Sequence, residues 1–300
     1  MQISKLAFSA AAVSAILGIG AASAADLPAR TYTKAPVVAP MARYSWTGCH
    51  VGGNAGWIGG SDRLDLEMSG GFLNPLNIFS VPANRAPLAH SYEPNRSSGV
   101  VGAEIGCDWQ APGSAFVFGV AADISWSGLR ETVNAAYGPT ATPVGTMSSH
   151  TVSVTKDLDW FSTFRGRAGY AFDRFLVYGT AGAAVARIRS TTNVLFGNDG
   201  LDFFNTNLVG QATDTRWGWT AGVATEYALG SNWSIKAEYL HLDFGNSTYQ
   251  SPCVDAPCVV NFSTLGLPRP AYATTVRARE EIVRVGLNYT FGAAPVVARY

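Results

Sequence analysis

Beyond its first two dozen residues the sequence lacks any uninterrupted apolar run of about 18 residues, the length a helix needs to cross a bilayer. A later transmembrane helix is thereby excluded. Charge is sparse and balanced: 14% of residues are charged, with Lys+Arg 21 against Asp+Glu 21, so no basic surface for nucleic acid is expected. Histidines 50, 90, 150 and 241 are scattered and match no zinc or haem spacing, so neither a metal nor a cofactor is expected. Ser148, Ser149 and His150 lie together, and His241 precedes Asp243, but neither group sits in a nucleophile motif. No glycine-rich phosphate loop opens a helix. These absences argue against an enzyme.

What is present begins with "MQISKLAFSAAAVSAILGIGAASA", residues 1–24. Lys5, a short Ala-rich apolar stretch and the small residues Ala22-Ser23-Ala24 follow the order of a secretory signal, with cleavage expected before Ala25. A single membrane anchor is the alternative, and the apolar run is short for one. Residues 25–45 are Pro- and Ala-rich without periodicity and read as an extended periplasmic linker. Glycine is abundant (32 residues) and aromatics reach 12%. An exported chain of this kind is either a soluble secreted β protein or an outer-membrane barrel.

From residue 46 the hydrophobic period is close to two in eight segments: 46–58, 97–109, 114–127, 158–172, 174–189, 213–229, 232–245 and 276–291. Most exceed the usual length of a soluble strand. Short connections near 110–113, 172–174 and 229–232 alternate with long ones at 59–96, 128–157, 190–212 and 247–275. Tight periplasmic turns on one rim and long external loops on the other have that rhythm. The expected fold is all-β: an eight-stranded antiparallel transmembrane β-barrel over residues 46–291, with residues 292–300 a periplasmic tail.

Alternation alone does not say which face meets lipid, and a lipocalin-like barrel would turn its apolar face inward. Composition separates the two. One face carries bulky side chains, such as Phe116, Phe118 and Trp126, or Trp160, Phe164 and Tyr170. The other mixes charges with Gly, Ala, Ser and Thr, as a lumen only wide enough for side chains requires. Its charges are Glu104, Asp108, Asp123, Arg165, Arg167, Arg216, Glu226, Lys236, Glu238 and Arg284. Five of each sign can pair into a network that plugs the lumen; hydrated rim charges are the plainer alternative. An Arg or Lys turned to lipid at the midplane would cost about 2–4 kcal/mol.

Four cysteines in an exported chain suggest two disulfides. Cys253 and Cys258 can close a small ring in the last long connection. Cys49 and Cys107 fall opposite each other on the outward face of the first two strands. That pairing is favoured over the two crossed ones, the alternative being reduced thiols.

"SAADLPARTYTKAP" after the signal, "WTGCHVGGNAGW", "SSGVVGAEIGCDWQ" and the closing "VRVGLNYTF" resemble the small outer-membrane proteins of alphaproteobacteria, the Omp25/Omp31 family. The likeness follows segment order along essentially the whole chain. It implies an eight-stranded barrel of the OmpA transmembrane type in the Gram-negative outer membrane. Partners implied there are outer-membrane lipid and lipopolysaccharide, the barrel assembly machinery and periplasmic chaperones. Cys49, His50 and Cys107 depart from the family pattern, which carries aromatics there, and so do the nine residues after Phe291. By likeness to other outer-membrane barrels, Val283, Val285, Leu287, Tyr289 and Phe291 form the assembly signal, ending at Phe291.

Three roles remain open at this level. The first is a structural part in envelope integrity with a plugged lumen. The second is a narrow porin-like channel, and the third a surface adhesion or ligand-binding protein acting through the long loops, whose simpler role is cover for the outer rim.

Overall fold

The computed structural model describes residues 44–60, 63–69, 90–93, 96–137, 140–142, 145–147, 150–196, 207–230, 232–255 and 271–291. Strands β1 (Gly48–Gly60), β2 (Arg63–Ser69), β3 (His90–Tyr92), β4 (Ser97–Gln110), β5 (Phe116–Tyr137), β6 (Thr140–Thr142), β7 (Gly145–Met147), β8 (His150–Phe172), β9 (Phe175–Phe196), β10 (Asn207–Gly230), β11 (Trp233–Pro252) and β12 (Ala271–Phe291) succeed one another in chain order. All pairings between neighbours are antiparallel, and β1 pairs with β12, so the sheet closes on itself. Closure leaves no edge, which the hydrocarbon region demands because an unpaired backbone group there costs several kcal/mol.

Two of the staves in this ring are each built from two strands. Gly60 lies opposite Glu280 and Arg63 opposite Arg277, so β2 continues the register of β1 along β12. Gly59 opposes Ser97 and Leu64 opposes Tyr92, so β3 prolongs β4 in the same way. β1 with β2 and β4 with β3 thus serve as single staves of an eight-stave ring, whose ladder is closed all round in the belt half; beyond it no ladder joins β3 to β5 among the described residues. β6 and β7 form a separate small hairpin.

The staves are longer than the period-two segments. Much of the length expected as long loop is strand: β5 runs on to Tyr137, β8 begins at His150, β9 ends at Phe196, β10 begins at Asn207, β11 ends at Pro252 and β12 begins at Ala271. The reason is visible in β8. From its turn end the inward residues are Ala171, Arg167, Arg165, Thr163 and Phe161, and beyond a register shift they are Leu158, Lys156, Val154, Val152 and His150. Outward stand Phe172, Tyr170 and Phe164 in the first part, but Asp157, Thr155, Ser153 and Thr151 in the second. The irregularity moves the inward positions from odd to even numbers. Matching shifts lie between Trp126 and Leu129 in β5 and between Asp243 and Asn246 in β11. Gly245, at φ 70°, takes the left-handed backbone there, and its N–H donates to Asp243 Oδ1 at 2.8 Å.

Below these shifts an outward belt of large apolar residues surrounds the ring. Trp109, Phe116, Phe172, Trp233 and Phe291 stand near one margin, and Trp57, Trp126 and Trp217 near the other, all exposed. Such girdles lie where ring systems meet the headgroups. The short turns are on the Phe172 side. One is the two-residue hairpin Asp173–Arg174, where Asp173 adopts φ 55°, a conformation Asp tolerates because its short polar side chain bonds locally.

Candidate functional site

The lumen of the belt half holds the charges. Arg165 is the centre: its Nη1 donates to Glu238 Oε1 at 2.6 Å, and its Nη2 donates to Asp123 Oδ2 at 2.9 Å and to Glu104 Oε2 at 3.1 Å. Arg284 donates through Nε to Glu238 Oε2 at 2.7 Å and through Nη2 to Asp123 Oδ2 at 3.2 Å. Lys236 Nζ donates to Glu104 Oε1 at 2.5 Å. Nearer the turns, Arg167 binds Asp108 in a two-pronged contact, and Glu226 lies 3.8 Å from Arg167 Nη1 while accepting from Ser234 and Asn288. Arg165, Arg284, Lys236, Glu104 and Glu238 all have side chains at most 2% exposed. Buried charges persist only when paired and hydrogen-bonded, and here each carboxylate meets more than one donor.

Glycine makes the room. A Cβ on Gly119 would overlap the Asp108 carboxylate, and one on Gly106 would overlap the His50 ring. The inward small residues are thus the sockets of their neighbours' long side chains.

Nine of the ten charges expected in the lumen stand within this network. Arg216 is placed elsewhere: it opposes Ala186 at the level of Phe161, and its Nη1 reaches the Val276 carbonyl at 3.5 Å, away from the acidic cluster. Its parity is inward and its side chain is buried, two residues farther along the staves than the level of Asp123 and Thr163. His50, marked in the sequence only as a departure from the family pattern, sits in the network as well. Its Nε2 is 3.6 Å from Glu104 Oε1 and its Nδ1 is 3.7 Å from Asp108 Oδ2.

Apolar layers close the network on both sides. Toward the turns, Trp46, Val117, Ala171, Leu176, Ala224 and Ala228 pack together. Trp46 precedes the first strand; its Nε1 donates to the Asp173 carbonyl at 3.0 Å, and the Tyr44 N–H donates to Asp173 Oδ1 at 3.0 Å. On the other side Ile58, Leu129, Leu158, Phe161, Ile188 and Leu242 pack into one buried cluster. Beyond it lies a second buried ion pair, Lys156 Nζ to Glu280 Oε1 at 2.6 Å, and then Leu64, Val154, Leu208, Tyr272 and Val276. Neither the second pair nor these layers was legible as lumen, because the register shift hides their parity.

A disulfide joins Cys49 and Cys107, which are Cα partners across β1 and β4 and face outward. Cys253 is also disulfide-bonded; Cys258 lies outside the described residues. So do Ser148 and Ser149. His150 stacks on Tyr137, its ring centroid at 4.8 Å. His241 Nδ1 bonds Glu281 Oε1 at 2.7 Å, while Asp243 accepts from Arg279 Nε at 2.8 Å, so each is hydrogen-bonded to a different residue of β12. Val283, Val285, Leu287 and Phe291 face outward on β12, exposed, with Tyr289 half-buried between them against Trp233. Among the described residues no group of three or more His, Cys, Asp or Glu converges on a metal position.

A family model described as outer membrane protein beta-barrel domain matches residues 11–267. The chain belongs to that family. A 31 kDa outer-membrane immunogenic protein of Brucella melitensis biotype 1 is 31% identical over 266 residues, covering 86% of this chain and 88% of the relative. A 22 kDa outer membrane protein of Rhizobium leguminosarum bv. viciae is 26% identical over 144 residues, covering 48% of this chain and 52% of its own. The family type is therefore Omp25/Omp31, and the location of this member is the outer membrane. Among solved structures, OprG from Pseudomonas aeruginosa is similar at 10% identity and a TM-score of 0.36, covering 81% of this chain and 97% of OprG.

Proposed function

We propose that this barrel is a sealed component of the envelope, contributing to its integrity rather than to transport. The observation that supports this is the lumen: a buried network of arginine, lysine and carboxylate side chains lies between apolar layers built from Trp46 on one side and Phe161 on the other. Water and ions entering would have to break charge-assisted bonds and wet an apolar layer. Planar-bilayer recordings of the refolded protein test the reading. Few and small current steps are expected, and more frequent ones on replacing Arg165 and Arg167 together. Large, stable steps from purified native monomer would establish the channel reading instead.

A surface-binding role has one observation in its favour. The staves continue well beyond the aromatic belt with polar residues such as Thr151, Thr155 and Asp157 outward, so the described strands offer a stiff polar support of the kind on which binding residues are usually carried. Removing residues 71–88 or 256–270 should then abolish binding to a host or matrix surface while the barrel still folds.

We infer also that residues 1–24 are a cleaved export signal, that 25–45 and 292–300 lie in the periplasm, and that the barrel assembly machinery reads β12 up to Phe291. The outward row Val283, Val285, Leu287 and Phe291 supports this. Deleting 292–300 should leave assembly intact and Phe291→Asp should impair it; the reverse result would place the signal in the tail.

A further inference from the structure

At the end of the ring away from the short turns the sheet has a gap. Among the described residues β3 is joined by a ladder to β2 alone, and none joins it to β5. Side chains span that gap instead. His90 and Tyr92 alternate on β3 opposite Leu66 and Leu64, whose side chains are buried, so both point to the inward face. Tyr137 ends β5 and is the Cα partner of His150, which begins β8. The His90 ring lies on the Tyr137 ring with centroids 4.0 Å apart, and the His150 ring lies on Tyr137 at 4.8 Å, each pair inclined by 18°. The hydroxyls of Tyr92 and Tyr137 are hydrogen-bonded, and both tyrosines pack on the apolar cluster of Leu64, Val154 and Tyr272.

The two imidazoles meet through their edges. Their centroids are 5.6 Å apart, and His90 Nε2 lies 3.4 Å from His150 Nε2. They stand 60 residues apart in sequence, which is why spacing showed no ligand pair. Two imidazole nitrogens in that position either share one N–H or present both lone pairs to a cation between them. The distance separates the two arrangements. An N–H donor and an oxygen acceptor stand about 2.7–3.2 Å apart in a well-formed bond, so 3.4 Å is long for a shared hydrogen. A zinc ion held tetrahedrally by two imidazoles at about 2.0–2.1 Å keeps their nitrogens about 3.3–3.4 Å apart. A square-planar copper site would bring neighbouring nitrogens to about 2.8–3.0 Å.

We propose that His90 and His150 are the two protein ligands of a tetrahedral divalent cation of the zinc type, bound across the gap between β3 and β8. Tyr137 stacks against both rings and holds their nitrogens convergent. Among the described residues no third His, Cys, Asp or Glu joins them, so the remaining positions fall to water. Two ligands on separate strands make the cation a clasp. It ties β3 to β8 at the level where β3 has no backbone partner but β2, as a ladder does elsewhere in the ring. The inference is independent of whether the lumen conducts.

The test is calorimetric titration of zinc chloride into the refolded protein in detergent micelles, with folding verified by heat-modifiable gel migration. One equivalent of zinc should bind. His90→Gln and His150→Gln should each weaken binding at least about tenfold, since even groups that only orient a metal's ligands are worth about 10–100-fold. His241→Gln, whose ring bonds Glu281 on another part of the ring, should leave affinity within about twofold of native. Bound zinc should also slow amide exchange in β2 and β3 while the belt half of β12 is unchanged, which a cation held loosely at the surface would not do. Should His150→Gln misfold, His90→Gln decides alone, because β3 contributes only three residues to the sheet. No binding by the native protein, binding of native strength in His90→Gln, equal loss in His241→Gln, or bound zinc without slower exchange in β3 would each overturn the proposal.

Discussion

Residues 160–172 and 150–158 of β8 belong to one stave and obey opposite rules. In the first part Phe164 and Tyr170 face out while Arg165 and Arg167 face in; in the second Leu158, Val154 and Val152 face in while Thr155 and Asp157 face out. The first part is organised for lipid outside and a packed polar lumen. The second is organised as any small soluble barrel, with an apolar interior and a wet exterior. The change is made within two or three residues by register shifts in β5, β8 and β11. One continuous sheet therefore holds two folding problems, solved chiefly by electrostatics in one half and chiefly by apolar packing around a single buried ion cluster in the other.

The two halves should fail differently. Arg284→Met leaves Glu238 and Asp123 facing the lumen with one cation fewer, and a broken buried ion pair costs about 3–5 kcal/mol. Reversible urea unfolding in lipid vesicles should show a loss of that size; a neutral result would mean that water already solvates the network. Leu158→Ala in the apolar layer should cost about 2–4 kcal/mol, through lost burial and the cavity left behind. The same titration reads it, and a comparable loss in both variants with unequal salt dependence would sharpen the distinction. A difference of zero between them at high and low salt would erase it.

The smallest effect is expected from pH, and only outside the belt. His90 lies among Tyr92, Tyr137 and His150, with its Nε2 3.4 Å from that of His150. Burial lowers its pKa below the ordinary 6.5, so the fold prefers the neutral ring. The contribution is complete above pH 6.5 and is lost as the pH falls toward the lowered folded value. Amide exchange of β2 and β3 should quicken between about pH 7 and pH 5, while the belt half of β12 keeps its protection. Uniform quickening in both would show that the halves are not independent.

The belt half was readable because each cue had one meaning there. Phe116, Trp126, Phe164 and Trp217 are too large and apolar to alternate with Arg165 or Glu104 for any reason but lipid on one side and a narrow lumen on the other. The outer half was unreadable for a physical reason, not for want of signal. In "HTVSVTKDLDW" the period of two is intact, with His150, Val152, Val154, Lys156 and Leu158 on one face. Small β-branched residues take the inward places, threonines take the outward ones, and the shift before Trp160 breaks continuity with the belt segment 160–172. Without the register, that stretch is an alternating segment whose phase disagrees with the belt and whose outward face is polar, so nothing ties it to the barrel. Arg216 shows the limit of parity: it places the side chain inside, where it is, but only the stagger of neighbouring strands says at what height. His50 was hidden by its solitude, since one buried histidine has no spacing to betray it.

Closure of the ring by β1 and β12 has a consequence for synthesis. Cys49 pairs with Phe291, and every stave between them must exist before that seam can form. A chain released early, even by the last stave alone, presents two bare edges to hydrocarbon that no rearrangement of the rest can cover. Such a product has nowhere to hide its amides. The seam therefore acts as a completeness check, passed only by full-length barrels.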